Sequence, residues 1–276
     1  MNAGMQQAAR TYLFVPGNRP DRFAKAFASG ADAVVIDLED AVAPDQKEAA
    51  RAALAAWCGG THQHQAQLVV RINDEASEWF DADLALLRTL GPCSVMLPKA
   101  ESAQQVERII AALVLGTDVI ALVESARGLL EVDAIAHASG VQRLAFGTLD
   151  YALDLGLTDD PRGLLYPASR IGLASRMADL PPPIAGITAA IDDDFALRRD
   201  FDLARACGFG AKLCIHPRQI DTVHVMLAPT PEQCDWAARV LAAAHAGIGA
   251  VQVDGKMVDR PVLLRARAIL DHPPAT

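Results

Sequence analysis

The sequence predicts an α/β protein: a closed (β/α)8 barrel, the TIM barrel, carrying a C-terminal helical and hairpin extension. Three observations carry that prediction. Short β-branched runs alternate with longer Ala-, Leu- and Arg-rich stretches from residue 12 to residue 226. The alternation runs through eight strand–helix units, the number that closes a barrel. Polar residues gather at the downstream ends of the runs, where such folds collect their chemistry. Strand–helix alternation also demands parallel pairing, because each crossover returns the chain to the same end of the sheet. The competing architecture is an open doubly wound sheet.

The first strand is read at 12–15, closing on Val15-Pro16-Gly17, with a helix over 20–29. The second, at 33–38, runs into Asp37-Leu38-Glu39-Asp40 and a helix over 45–57. The third, at 68–72, contains Arg71-Ile72 before Asn73, and the fourth, at 94–97, stops at Pro98-Lys99; their helices span 79–90 and 103–114. The fifth, at 119–123, ends on Glu124-Ser125 ahead of a helix over 128–138. The sixth, at 143–146, leads through Gly147-Thr148-Leu149 to Asp150, with a helix over 169–178. Strands at 184–187 and 212–215, with helices over 195–207 and 219–226, finish the barrel at His216-Pro217. Pro229-Thr230-Pro231 then breaks the pattern, dividing a barrel domain, 1–228, from an extension, 229–276. The extension reads as a helix over 232–246 stopped by Gly247 and Gly249, an extended piece at 250–253, a turn at Asp254-Gly255, and a helix opened by Pro261. It is too small to hold a core alone, so it is expected to pack on the barrel or on a neighbouring subunit.

Composition bounds the function. Apolar residues make up 51% of the 276-residue chain and aromatics only 5%, which suits strands buried on both faces. A net charge of −9 argues against nucleic acid as a partner, although an acidic ligand can bind wherever Arg and Lys converge. Five cysteines without CxxC spacing, mostly in apolar stretches, read as reduced core thiols of a cytoplasmic protein. The first ten residues lack an apolar signal core, and the longest apolar stretch, 109–123, is broken by Gly116, Thr117 and Asp118. No membrane span is expected. His62-Gln63-His64 reads as a solvated loop, and Gly208-Phe209-Gly210 lacks the third glycine of a dinucleotide fingerprint.

In a barrel the strand ends ring one mouth, bringing together Asp37, Glu39, Asp40, Arg71, Lys99, Glu124, Asp150 and His216. Glu124 and Asp150 close successive strands, a placement that suits Mg2+, with Mn2+ as the alternative ion. Arg71 offers a planar fork for a substrate carboxylate, while Glu39 and Asp40 are placed to hold metal waters or Arg71. A divalent ion chelated by a 2-oxo acid polarises its carbonyl, which is the chemistry of aldol and Claisen cleavage.

The ordered set Val15-Pro16-Gly17, Asp37-Leu38-Glu39-Asp40, Arg71-Ile72-Asn73, Leu97-Pro98-Lys99, Glu124-Ser125-Ala126-Arg127-Gly128, Phe146-Gly147-Thr148-Leu149-Asp150 and Ile215-His216-Pro217 resembles the citrate lyase β-subunit family. That family belongs to the HpcH/HpaI aldolase/citrate lyase superfamily and is related to malyl-CoA and citramalyl-CoA lyases. The resemblance implies an oligomeric, Mg2+-dependent barrel, trimeric or hexameric. Such an enzyme splits a 3-hydroxyacyl-CoA thioester of the citryl, citramalyl or malyl type into acetyl-CoA and a 2-oxo acid. By position it implies Glu124 and Asp150 as metal ligands, Arg71 as the grip on the oxo-acid carboxylate, and Glu39 as a nearby acid. It matches Lys25 to a residue meeting CoA phosphates, helped by Arg19 and Arg22; a solvated helix face is the other reading of Lys25. His216 either binds CoA or fixes the loop before Pro217. Met257-Val258-Asp259-Arg260-Pro261 resembles an element that relatives swing over a neighbour's site, which implies Asp259 as acid/base; from the residues alone Asp259 also reads as a helix cap. Tyr166-Pro167-Ala168-Ser169-Arg170 departs from the family's Tyr-Ala-Arg-Ser-Arg. Two further readings stand beside the lyase: a metal-dependent aldolase on CoA-free hydroxy-oxo acids, and a lyase subunit active only with an acyl-carrier partner.

Overall fold

The computed structural model describes residues 8–60, 65–91, 93–246 and 251–271; His62, His64, Gly247, Gly249 and Ala250 fall outside them. Eight parallel strands close into a barrel in chain order: β1 (Thr11–Pro16), β2 (Ala33–Asp37), β3 (Gln67–Arg71), β4 (Ser94–Leu97), β5 (Asp118–Val123), β6 (Val141–Phe146), β7 (Ile184–Ala185) and β8 (Ala211–Cys214). Closure is made by β8 pairing back onto β1, with Tyr12 opposite Leu213. The barrel is therefore a (β/α)8 fold, and no open edge remains.

Alternation along each strand builds the interior. Tyr12, Ala33, Val35, Val69, Met96, Ile120, Leu122, Ala145, Ile184, Ala211 and Leu213 form one buried cluster. Because side chains repeat every second residue, continuing those series places Asp37, Arg71 and Glu124 on the inner face at the strand ends. The hydrophobic pattern that fills the barrel thus also aims its polar mouth.

Around the barrel run α1 (Phe23–Phe27), α2 (Lys47–Cys58), α3 (Phe80–Leu90), α4 (Ala103–Ala112), α5 (Ala126–Leu130), α6 (Val132–His137), α7 (Thr148–Asp154), α8 (Leu165–Met177), α9 (Asp194–Ala206) and α10 (Arg218–Leu227). Several differ from the reading of the sequence. The helix expected over 20–29 is a 3-10 turn at Pro20–Arg22 followed by α1, with left-handed Gly30 beyond it. The helix expected over 128–138 is split into α5 and α6. Gly128 pulls α5 against the β4 loop so tightly that a Cβ there would lie 2.5 Å from the Ala100 carbonyl oxygen. Strand β7 spans two residues instead of four: Pro182 and Pro183 precede it without donors, and a Cβ on the following Gly186 would meet the Phe146 carbonyl oxygen at 2.8 Å. Helix α7 was not anticipated. Its Leu149 and Leu153 are exposed, so it lacks the apolar period that announces a helix, and Asp150 stands in its first turn. Helix α8 begins at Leu165, ahead of the expected 169, with Pro167 in its first turn, where the missing N–H costs no hydrogen bond.

All five cysteines are free, but only Cys214 is buried; Cys58, Cys93, Cys207 and Cys234 are partly exposed. The expectation of mostly core thiols is corrected by their positions at helix ends and in loops. Among the described residues no helix is long and apolar enough to cross a membrane.

The chain divides into two compact units, one ending at Val223 and one starting at His224. The second contains α11 (Pro231–Ala246), an antiparallel hairpin of β9 (Val251–Val253) and β10 (Lys256–Val258), and α12 (Arg260–Leu270). Its hairpin turns at Asp254 and Gly255, both with positive φ, as a two-residue loop matching strand twist requires. It holds a small core of its own, Ala237, Val240 and Ala266 flanked by Trp236, Leu241 and Leu263. The sequence reading had allowed it none.

Candidate active site

Asp37 and Arg71 are register partners at the ends of β2 and β3. The Asp37 carboxylate accepts from Arg71 Nε and Nη2, both at 2.7 Å, and from the backbone N–H groups of Glu39 and Ala41. Glu39 Oε2 lies 2.8 Å from Arg71 Nη1, and Asp40 at 3.7 Å. The Phe14 ring lies under the guanidinium, 4.9 Å from its carbon. Burial alone would lower the Arg71 pKa, but Asp37, then Glu39 and Asp40, raise it above its ordinary value. The side edge of the fork is thus already taken by Asp37. The end-on edge, formed by Nη1 and Nη2, is the part aimed at the mouth and at Glu39.

Glu124 is 4% exposed. Its Oε1 accepts the Lys99 backbone N–H at 2.8 Å; Oε2 has no hydrogen-bond donor among the described residues. Lys99 reaches that position through a left-handed backbone, φ 45°, strain of the kind held at functional sites. Gly147 is required beside it: a Cβ there would stand 2.4 Å from Glu124 Oε2. Ser125 caps α5 by accepting the Gly128 N–H at 3.1 Å and donates to Glu101 at 2.6 Å, so Glu124, Ser125 and Gly128 of the motif each have a structural cause. Asp150 is exposed at the start of α7.

The carboxylates repel one another. Burial, then the Glu39 charge, and less strongly Asp150, push Glu124 up to about 8. Burial, opposed by Arg71 and reinforced by Asp40 and Asp37, pushes Glu39 up to about 7. The Lys99 ammonium lies 3.7 Å from Glu39 and 3.6 Å from Asp74. The mouth thus sets two carboxyl groups with raised pKa, Glu39 and Glu124, beside the Arg71 and Lys99 cations. Among the described residues no three of His, Cys, Asp and Glu converge to hold a metal by themselves. A site of one or two carboxylates completed by water and substrate oxygens is the Mg2+ type, and Glu124 with Asp150 fits it.

Sequence reasoning missed Lys47. Its buried Nζ donates to the carbonyls of Leu38 and Glu39, each at 2.8 Å, and to Asn73 Oδ1 at 2.6 Å. Asn73 is held by Asp83, which is in turn met by Arg51. Lys47 thereby fixes the loop carrying Glu39. In sequence it is one lysine in an Ala-rich helix, and nothing local marks it. The pairing of Asp37 with Arg71 was likewise invisible, because it crosses between strands.

The other candidates are placed as follows. Arg19 is bound to Asp21 at 2.9 and 2.7 Å; Arg22 and Lys25 are exposed. His216 Nδ1 accepts the Arg218 N–H at 3.2 Å, so the imidazole does fix the loop at Pro217. Asp259 caps α12 through the Val262 N–H at 3.1 Å, and it belongs to the second unit.

The profile of the HpcH/HpaI aldolase/citrate lyase family matches residues 10–217. The chain belongs to that family. A citrate lyase subunit beta-like protein of Deinococcus radiodurans is 36% identical over 95% of this chain and 96% of its own length. A (3S)-malyl-CoA thioesterase of Cereibacter sphaeroides is 33% identical over 95% and 93%. Among solved structures, the Mycobacterium tuberculosis CitE protein, determined with magnesium, acetoacetate and coenzyme A, matches with a TM-score of 0.85 and 39% identity, covering 96% of this chain and 98% of its own. Within the family, then, a Mg2+- and CoA-holding barrel of this shape has been seen directly.

Proposed function

We propose that this chain is a Mg2+-dependent carbon–carbon lyase that cleaves a 3-hydroxyacyl-CoA thioester of the citryl, citramalyl or malyl type to acetyl-CoA and a 2-oxo acid. The observation that carries the reading is the carboxylate pair at the mouth: buried Glu124, whose Oε2 has no donor among the described residues, and exposed Asp150, whose charge helps to raise the Glu124 pKa. The magnesium- and CoA-bound CitE structure supports the same assignment.

When bound, the ion supplies Lewis-acid polarisation of the oxygen on the scissile carbon. The chain's own groups do the rest. Arg71, steadied by Asp37, holds the oxo-acid carboxylate end-on. Glu39 and Lys99 fix the polar wall around it. The C3 hydroxyl gives its proton to the Asp259 carboxylate of a neighbouring copy, and the C3 oxygen becomes the carbonyl of the 2-oxo acid as the C2–C3 bond breaks. The electron pair of that bond stays on C2, which takes up a proton to become the acetyl methyl. The same Asp259 gives that proton. Lys25, with Arg19 and Arg22, meets CoA phosphates, and His216 lines the same approach. The assembly is a trimer or hexamer in the cytoplasm. Leu130, Leu153, Tyr166 and Met177 on α5, α7 and α8 are between 66% and 81% exposed, apolar area that an assembled form covers.

A second reading, hydrolysis of the thioester, is favoured by the malyl-CoA thioesterase relative. One panel separates the possibilities: citryl-, citramalyl- and malyl-CoA incubated with the purified chain, with and without Mg2+. Acetyl-CoA and 2-oxo acid formed in equal amounts support the lyase. Free CoA with intact hydroxy acid supports hydrolysis. Turnover only of CoA-free hydroxy-oxo acids supports an aldolase, and turnover only on adding an acyl-carrier protein supports a dependent subunit.

A further inference from the structure

Beside the mouth, a cavity of about 410 Å3 lies between the β6–β8 wall and α7, α8 and α9. That volume falls in the ~300–1,000 Å3 range of small-molecule sites. Phe146, Leu157, Leu164, Leu203 and Phe209 give it an apolar wall, and its charged lining is Lys212, Arg199, Asp159, Asp160 and Asp200. Neither Arg71, Glu124 nor Asp150 lines it.

Strand alternation explains the lysine. Ala211 and Leu213 face the barrel interior, so Lys212 between them points out toward the helices. It is 1% exposed, and its Nζ donates to the Gly186 carbonyl. Among the described residues no carboxylate forms an ion pair with it. Asp200, whose charge it feels, is already engaged: one oxygen accepts from Arg199 at 2.9 and 3.1 Å, the other from Thr188 at 3.0 Å. Burial lowers the Lys212 ammonium to about 8, with Cys214 and Asp200 working against that shift. A buried ammonium without a counter-ion is costly, and here it fronts open volume.

We propose that this cavity is a second small-molecule site, taking a compact aliphatic monocarboxylate whose head meets Lys212 and whose chain packs on the leucine and phenylalanine wall. Arg199, which also lines the cavity, is engaged by Asp200, which leaves Lys212 as the cation for one negative charge. A doubly charged phosphate would sit in excess beside Asp159, Asp160 and Asp200, which also line the cavity.

The test is calorimetric titration of the whole protein, free of Mg2+, with sodium 4-methylpentanoate and with the neutral 4-methylpentanamide. The expected result is one saturable site per chain for the acid and binding at least about tenfold weaker for the amide. Lys212→Met is expected to lose the acid by at least the same factor, and Glu124→Gln to keep it. Should Lys212→Met not fold, Leu203→Phe narrows the cavity from its apolar side and is expected to abolish binding while sparing Mg2+-dependent turnover. No saturation below about 10 mM, equal binding of acid and amide, or undiminished binding in the folded variants overturns the proposal. Because the readout uses neither metal nor turnover, its outcome is independent of the lyase reading.

Discussion

Asp37 grips Arg71 at two points, with Nε and Nη2 each 2.7 Å from a carboxylate oxygen. The contact sets the plane of the guanidinium and therefore the direction in which its remaining N–H groups point. Asp37→Asn keeps the volume but removes the charge opposite a largely buried cation. It is expected to destabilise the fold by about 3 kcal/mol and, by loosening the fork, to lower kcat/KM by about 10²-fold. Urea unfolding and steady-state kinetics on the one variant check both.

Gly147→Ala tests the closeness of the two loops at the mouth. The new methyl would fall 2.4 Å from Glu124 Oε2 and 2.6 Å from its Cβ, so the carboxylate must turn away and the loop backbone must shift as well. Since φ at this position is −82°, alanine's backbone preference is not the obstacle. Mg2+ affinity is expected to fall about 10–100-fold, together with a lower melting temperature. A drop in stability with metal affinity intact would show that the close approach serves packing instead.

Lys47→Met leaves the Leu38 carbonyl and Asn73 Oδ1 without their donor, while the Glu39 carbonyl keeps the Val42 N–H. Unsatisfied buried acceptors cost about 1–3 kcal/mol each, and loss of the anchor frees the Glu39 loop. Chemical denaturation is expected to show a loss of about 3 kcal/mol.

The raised carboxylates give a pH dependence with a definite sign. Glu124 moves from 4.5 to about 8 and Glu39 from 4.5 to about 7. Between those limits the folded, metal-free protein holds protons that the unfolded chain has released, so stability falls as pH rises from about 4.5 toward 8. A bound divalent ion favours the ionised forms, releases those protons and restores stability at the upper end. Melting curves recorded across this window are expected to diverge with and without Mg2+ as pH increases. Glu124→Gln is expected to flatten the metal-free trend.

What the sequence disclosed, and what it hid, follows from the range of each interaction. The barrel was legible because its signal is local: period-two strands, such as Val119 to Val123, separated by longer helical stretches. The position of Glu124 was legible for the same reason, since it continues the inward series of Ile120 and Leu122, whereas Asp150 stands past the end of β6 in the first turn of α7. Helix α7 was hidden because its leucines face outward, and β7 was overestimated because Gly186 and Ile187 continue an apolar run that the backbone leaves. The Asp37–Arg71 grip and the Lys47 anchor join separate elements, and no spacing along the chain encodes such contacts. For Asp259, the capping geometry is present, as its place before Pro261 suggested.

The account rests on a divalent ion held by Glu124 and Asp150. Titration of the purified chain with Mn2+, followed by electron paramagnetic resonance in the presence of pyruvate, tests this most directly. The predicted result is one tight Mn2+ per chain, displaced by Mg2+ and lost in both Glu124→Gln and Asp150→Asn. Undiminished Mn2+ binding in both variants would contradict it.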